Sequence, residues 1–249
     1  MTAALPTPAA LHAALPTPAA LFAAMEATWP AAAAWRLGPW WLRDGAGGGK
    51  RASAATIAAG WTPDDIGQVE AAMPQGALFL LRPEDAALDA ALSARGYAIV
   101  DPVLTYAACT ADFAAPPHMA TFAHWPPLQI AVDLWADGQI GPARLAVMQR
   151  APGPKAAILA RLKDRAVGVA YVALHADIAL LHALQVSPAH RRQGSAQNLL
   201  AAAAHWAADH GAATLALIVT TANLPARALY ERLGMHPLGG YHYRQQVPR

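Results

Sequence analysis

Residues 178–219 constrain the fold more tightly than any other part of the chain. Ile178–Val186 is a nearly continuous apolar run, and Ser187–Gly194 is a short loop holding Pro188, Arg191, Arg192 and Gly194. Ser195–His210 then places Leu199, Ala203 and Trp206 on one helical stripe, with Gly211 as the stop, before a second apolar run at Ala213–Val219. Strands apolar on both faces belong inside a sheet that is covered on two sides. Strand, helix and strand at this spacing imply a right-handed crossover between parallel strands. The loop therefore lies at the carboxyl end of a central strand, where such sheets bind ligands. Unpaired N–H groups and the positive end of the helix dipole converge there, making a seat for phosphate or diphosphate.

The flanking segments extend this pattern. Ala166–His175 forms a hairpin with Ile178–Val186 through Ala176-Asp177, Ala156–Leu162 precedes it as a strand, and Leu128–Gln149 reads as helical with a break near Gly138–Pro142. Asn223–Met235 is a short helix with Pro225 near its start and Gly234 at its stop. Asn223, Ala226 and Tyr230 share one face of it. Read singly, they are an N-cap, a helix former and a core aromatic.

The Pro-rich stretch Ala114–Pro127 is the natural connector, dividing the chain into residues 21–115 and 116–249. The first part predicts a helix at Pro18–Met25, a strand at Trp35–Arg43, a helix near Thr62–Ala72 and a strand at Ala77–Leu81. A helix at Pro83–Arg95 and a strand at Tyr97–Tyr106 complete it. The cluster Gly45–Lys50 resembles a phosphate loop but fails twice: Asp44 stands where glycine is required and Arg51 where Ser or Thr is required. A flexible hairpin connection is the expectation for it. Leu5–Ala14 recurs almost unchanged as Leu15–Ala24, and the Ala/Pro-rich residues 1–20 are expected to be disordered.

Composition excludes several classes. Hydrophobic residues at 55% supply a core, whereas a formal charge of +2 gives no electrostatic case for binding nucleic acid. Lys50-Arg51 is the only adjacent basic pair besides Arg191-Arg192. Cys109, the sole cysteine, excludes an intrachain disulfide and suits a reducing compartment. The first 34 residues lack Lys and Arg, so the basic start of a secretory signal is missing, and prolines interrupt every run before it nears the ~20 apolar residues of a membrane span. A cytoplasmic protein without metal, membrane or nucleic-acid partner is the expectation.

Arg191-Arg192-Gln193-Gly194-Ser195-Ala196, following a strand that ends Leu184-Gln185-Val186-Ser187-Pro188, resembles the acyl-CoA signature of the GNAT superfamily of N-acetyltransferases. The downstream Asn223, Ala226, Tyr230 and Leu233-Gly234 element resembles that family too, with Met235 replacing its usual Phe, and the likeness covers about residues 120–249. It implies an α+β, layered GNAT fold: a mixed central sheet flanked by helices in a catalytic domain at 116–249. Residues 21–115 look like the smaller, degenerate GNAT-like domain of tandem members, with no acyl-CoA loop of their own.

The resemblance implies acetyl-CoA as co-substrate, an amine as acceptor, and homodimerisation as a common family trait. Backbone N–H groups from Arg192 to Ala196 would hold the CoA diphosphate, with Arg191 part of the same loop and a side chain at 194 expected to block it. The pantetheine would pair with the strand edge at Leu184, Gln185 and Val186, beside a bulge, with an N–H near Val186 facing the thioester oxygen. Asn223 would hold the pantetheine or position water, and Ala226 belongs to the same cofactor-binding set. Tyr230 would protonate the leaving thiolate within the transition state or with a lowered pKa. The amine, with a pKa of about 10.4, must lose a proton first. His182 is the one ionisable side chain on the preceding strand and reads either as the base or as a satisfied core histidine. His175, Tyr171, Tyr241 and His242 are further pocket candidates. The alternatives to acetyl transfer are a non-catalytic acyl-CoA sensor module and an acyltransferase using another acyl-CoA or an oxygen acceptor.

Overall fold

The computed structural model describes residues 15–246 apart from 59, 74 and 75. The chain opens with α1 (Pro18–Thr28), whose cap Thr17 accepts from Ala20 N, followed by the hairpin β1 (Ala33–Leu37) and β2 (Trp40–Asp44). Next come α2 (Lys50–Ser53), β3 (Thr56–Ile57), α3 (Pro63–Ala72), β4 (Leu78–Leu81), α4 (Ala86–Ala94) and β5 (Tyr97–Cys109). The second half holds β6 (Thr121–His124), α5 (Gln129–Asp137), α6 (Pro142–Arg150), β7 (Lys155–Leu162), β8 (Arg165–His175) and β9 (Ile178–Val186). It ends with α7 (Ser195–Asp209), β10 (Thr214–Thr220), α8 (Leu224–Arg232) and β11 (His236–Gln246).

Three expectations are corrected. Residues 1–14, with the first repeat copy, lie outside the described residues, but Pro18–Ala20 are helical and Leu21 and Ala24 of the second copy are buried. The single strand at Trp35–Arg43 is two, because Gly38-Pro39 makes the turn between them. The Gly45–Lys50 cluster does open the link between the antiparallel strands β2 and β3, but that link is tightly packed rather than flexible. It leads from β2 into α2 and packs on α6 so closely that a Cβ at Gly48 would sit 2.3 Å from Val147 Cγ2.

Strands β1, β2 and β3 form a small sheet in the N-terminal part. The other eight form a mixed sheet ordered β4-β11-β5-β10-β9-β8-β7-β6. Because β4 and β5 are hydrogen-bonded into this sheet, with β5 between β11 and β10, the sheet runs through the boundary expected at 115/116. Helix α7 covers one face with Leu199, Leu200, Ala203 and Ala207, against Ala170 and Val172 of β8. Val169, Tyr171 and Ala173 of the same strand meet Trp135, Val147 and Met148 on the other face. This two-sided burial is what the near-continuous apolar runs require.

The one parallel pair is β9 with β10, and it ends at Leu181↔Leu217. Beyond it β9 continues against β8 alone and β10 against β5 alone, so the sheet opens between them. A bulge shifts the β8–β9 register between Val169↔Gln185 and Tyr171↔His182. There Ala183 takes φ +51 and its carbonyl accepts from Trp135 Nε1 at 2.8 Å, a bond that compensates the irregular backbone. Trp135→Phe is therefore expected to cost about 0.5–1.5 kcal/mol by removing the hydrogen bond to a part-buried carbonyl. A urea midpoint unchanged from the parent would refute that account.

Candidate active site

Antiparallel pairing dictates which backbone groups face the gap. Ser187 N donates to Val167 O across the ladder, so Val186, one residue earlier, points its N–H and C=O away from β8 toward the space vacated by β10. Its carbonyl accepts from Arg191 Nε at 3.2 Å, which ties the loop to the strand end. Gln185 does not share this orientation, contrary to the expectation. It pairs with Val169 in the ladder, and its side chain lies over Gly138.

The loop then turns through Arg192 at φ +62 and Gly194 at φ +85, ψ −10, and Gly194 is the cap of α7. No side chain caps this helix, and the first intrahelical donor is Asn198 N, bonded to Gly194 O at 3.0 Å. The N–H groups of Ser195, Ala196 and Gln197 thus point out of the helix end, as an anion seat requires. A Cβ at 194 would meet no protein atom within 4 Å. Its protein-side cost is the left-handed backbone, about 1–2 kcal/mol for an ordinary residue.

A cavity of about 430 Å³ fills the gap, with walls from both halves. Leu181–Leu184 and Leu217–Thr220 supply the strand walls, joined by Asn223, the cap of α8, and Tyr230 of its last turn. Trp29, Arg51 and Asp101 come from the first half, and Arg144 from α6. Residues 191–196 and Ala226 do not line it. Asn223 Oδ1 accepts from Ala226 N at 3.2 Å as a helix cap, leaving its amide N–H groups for the cavity. Ala226 packs on the core.

Tyr230 is buried against the Tyr106 ring at 5.7 Å, and its hydroxyl has no hydrogen-bond partner among the described residues. Burial pushes its pKa up to about 12, which removes the lowered value and keeps the phenol protonated. Tyr106 is itself fixed, donating to Glu231 Oε1 at 2.6 Å and accepting from Arg227 Nε at 3.4 Å. This positioning residue of β5 carries no mark in the sequence.

His182 lines the cavity, and both its ring nitrogens are engaged in hydrogen bonds, which speaks against the base role. Nδ1 lies 3.1 Å from Arg51 Nη1, and a guanidinium only donates, so that nitrogen is the acceptor. Nε2–H then donates to Thr28 Oγ1 at 2.9 Å, and that hydroxyl donates to Ala24 O at 2.7 Å. No lone pair remains for an amine proton. Burial and the Arg51 charge hold the imidazole well below its usual pKa, so it stays neutral. These contacts favour the satisfied reading. Below pH 6.5 the unfolded chain takes up a proton that folded His182 refuses, so stability falls with acidification at up to about 1.4 kcal/mol per pH unit. His182→Gln should flatten that component between pH 6.5 and 5.5 in urea titrations. An identical slope in the variant would contradict this assignment.

Of the lesser candidates, Tyr241 lines the cavity. Tyr171 is buried under α6, donating to Met148 O at 3.0 Å, His242 contacts Asp89, and His175 lies outside the cavity. Sequence reasoning missed Arg51, Asp101 and Arg144. The one available signal was the Lys50-Arg51 pair after the glycine cluster. Among the described residues, no helix is long and apolar enough to cross a membrane.

Residues 118–235 match the profile of the Acetyltransferase (GNAT) family. No curated protein matches the chain. Among solved structures it is similar to a GCN5-related N-acetyltransferase from Kribbella flavida, with 19% identity and a TM-score of 0.71 over 93% of this chain and 96% of that one. It is also similar to a tandem GNAT protein from the clavulanic acid biosynthesis pathway, at 16% identity and TM-score 0.58, covering 90% and 87% of the two chains. A functionally unknown conserved protein from Staphylococcus epidermidis aligns at 10% identity and TM-score 0.63 over 85% and 92%. These likenesses extend the shared fold across both halves.

Proposed function

We propose, from the match of residues 118–235 to the Acetyltransferase (GNAT) family, that the chain moves an acetyl group from acetyl-CoA to a primary amine of a small molecule or protein. One observation carries this reading. The uncapped, left-handed start of α7 and the outward N–H of Val186 lie at the same end of β9, beside a cavity that holds the Tyr230 hydroxyl.

In this reading the N–H groups from Arg192 to Ala196 receive the diphosphate, with Gln193 and Arg191 completing the loop. Leu184 and Val186 present the strand edge to the pantetheine, and Asn223 offers it an amide. The amine nitrogen adds its lone pair to the thioester carbon to form the C–N bond. Val186 N–H donates to the carbonyl oxygen as it becomes negative. The C–S bond then breaks, its electron pair leaves with sulfur, and Tyr230 Oη hands sulfur a proton that solvent later returns. The surplus ammonium proton passes to water, because His182 has no lone pair to take it. Residues 21–115 act as the degenerate partner that closes the acceptor side.

Thiol release from acetyl-CoA against a panel of amines, amino acids and peptides tests the reading, alongside calorimetry with coenzyme A. Heat with coenzyme A and turnover of one amine class are expected. Binding without turnover of any amine would make the chain a sensor, and absence of heat would end the reading.

A further inference from the structure

We propose that the acceptor amine also carries a carboxylate, as an amino acid does, and that Arg51 of the N-terminal half selects it. This rests on the acyl-transfer reading above.

Arg51 follows the glycine cluster on α2, and its half-buried guanidinium enters the cavity. Nε donates to Tyr241 Oη at 3.2 Å and Nη1 to His182 Nδ1 at 3.1 Å. Both partners are neutral. Among the described residues no carboxylate pairs with Arg51. A guanidinium removed from water without a counter-ion is costly, and a neutral donor would serve His182 and Tyr241 equally well. What the charge adds is a planar fork matched to a carboxylate.

The rest of the cavity agrees. Arg144 lines it, and its side chain makes no hydrogen bond or ion pair among the described residues. Asp101 is the only acidic side chain in the lining and is already paired with Lys50 Nζ at 2.6 Å. The uncompensated charge facing a ligand is positive. That disfavours polycationic amines and favours an acceptor whose anionic end meets Arg51 while its nitrogen reaches the gap at Val186. A volume of about 430 Å³ suits a small molecule of this kind.

The test compares amino acids with their carboxamides at saturating acetyl-CoA, in the full chain and in Arg51→Met and Arg51→Lys. The parent should favour carboxylates by about 50-fold in kcat/KM, as a charged hydrogen-bond pair allows. Arg51→Met should erase that preference chiefly through KM, Arg51→Lys should recover part of it, and both should bind coenzyme A within about twofold of the parent. Calorimetry with N-acetyl amino acids reads the same pocket without turnover, with binding expected in the parent and lost in Arg51→Met. The proposal is overturned if carboxamides serve as well as acids and N-acetyl amino acids give no heat. It is equally overturned if Arg51→Met weakens coenzyme A, or if the variant switches donor preference between acetyl-CoA and succinyl-CoA with acceptor choice unaltered. Loss of coenzyme A heat in the parent would instead strike the underlying reading. Should Arg51→Met fail to fold by thermal melting, Arg51→Gln replaces it, since its amide keeps the neutral contacts.

Discussion

Tyr230→Phe is expected to lower kcat by about 10²–10³-fold while coenzyme A binding stays within about twofold of the parent. The ring is buried against Tyr106, and Phe keeps that packing. The lost hydroxyl has no hydrogen-bond partner among the described residues, so little stability goes with it. With the phenol near 12 and a free thiol near 8.5, full transfer to a free thiolate would be uphill by about 5 kcal/mol. The proton therefore moves as the C–S bond breaks, when sulfur in the same dry pocket is most basic. Because the phenol titrates well above neutrality, the rate should show no downward limb from Tyr230 between pH 6 and 9. A variant with parental kcat would remove the acid role, and one that no longer binds coenzyme A would make Tyr230 a packing residue.

Gly194→Asp should weaken coenzyme A binding by about 100-fold, the equivalent of about 3 kcal/mol. Asp is among the residues that tolerate the left-handed region, and no protein atom lies within 4 Å of a Cβ there, so the fold should survive. The cost falls on the ligand. A carboxylate placed at the mouth of the α7 amides competes for the same donors and repels the diphosphate. Calorimetry with coenzyme A, beside a thermal melt of the free protein, separates the two effects. Parental affinity with an intact fold would remove the anion seat from this loop.

Much of the second half was legible because its signals are local. Ile178–Val186, the Pro188-to-Gly194 loop and the stripe of Leu199, Ala203 and Trp206 each specify their own element, and together they force the parallel crossover. The open helix end at Gly194 depends only on a backbone turn and a helix start. The errors came where meaning depends on distant partners. His182 in isolation reads either as a base or as a satisfied core histidine, and only the fold shows that Arg51 and Thr28, 131 and 154 residues away, occupy both its nitrogens. Gln185 and Val186 are neighbours in sequence, and only the β8–β9 register shows which of them faces the gap. The glycine cluster read as a loose connector because α6, against which it packs, lies about a hundred residues later.

The sequence by itself determined the layered sheet, the crossover and the uncapped helix start at Gly194, since apolar periodicity, turn residues and helix ends act over a few residues. The tertiary structure alone decided what surrounds the reacting atoms. It threaded β5 between β11 and β10, set Tyr106 against Tyr230, and brought Arg51 into the cavity without a counter-ion. Those contacts are long-range pairings of a continuous sheet, and no local pattern encodes which side chains a sheet will bring face to face.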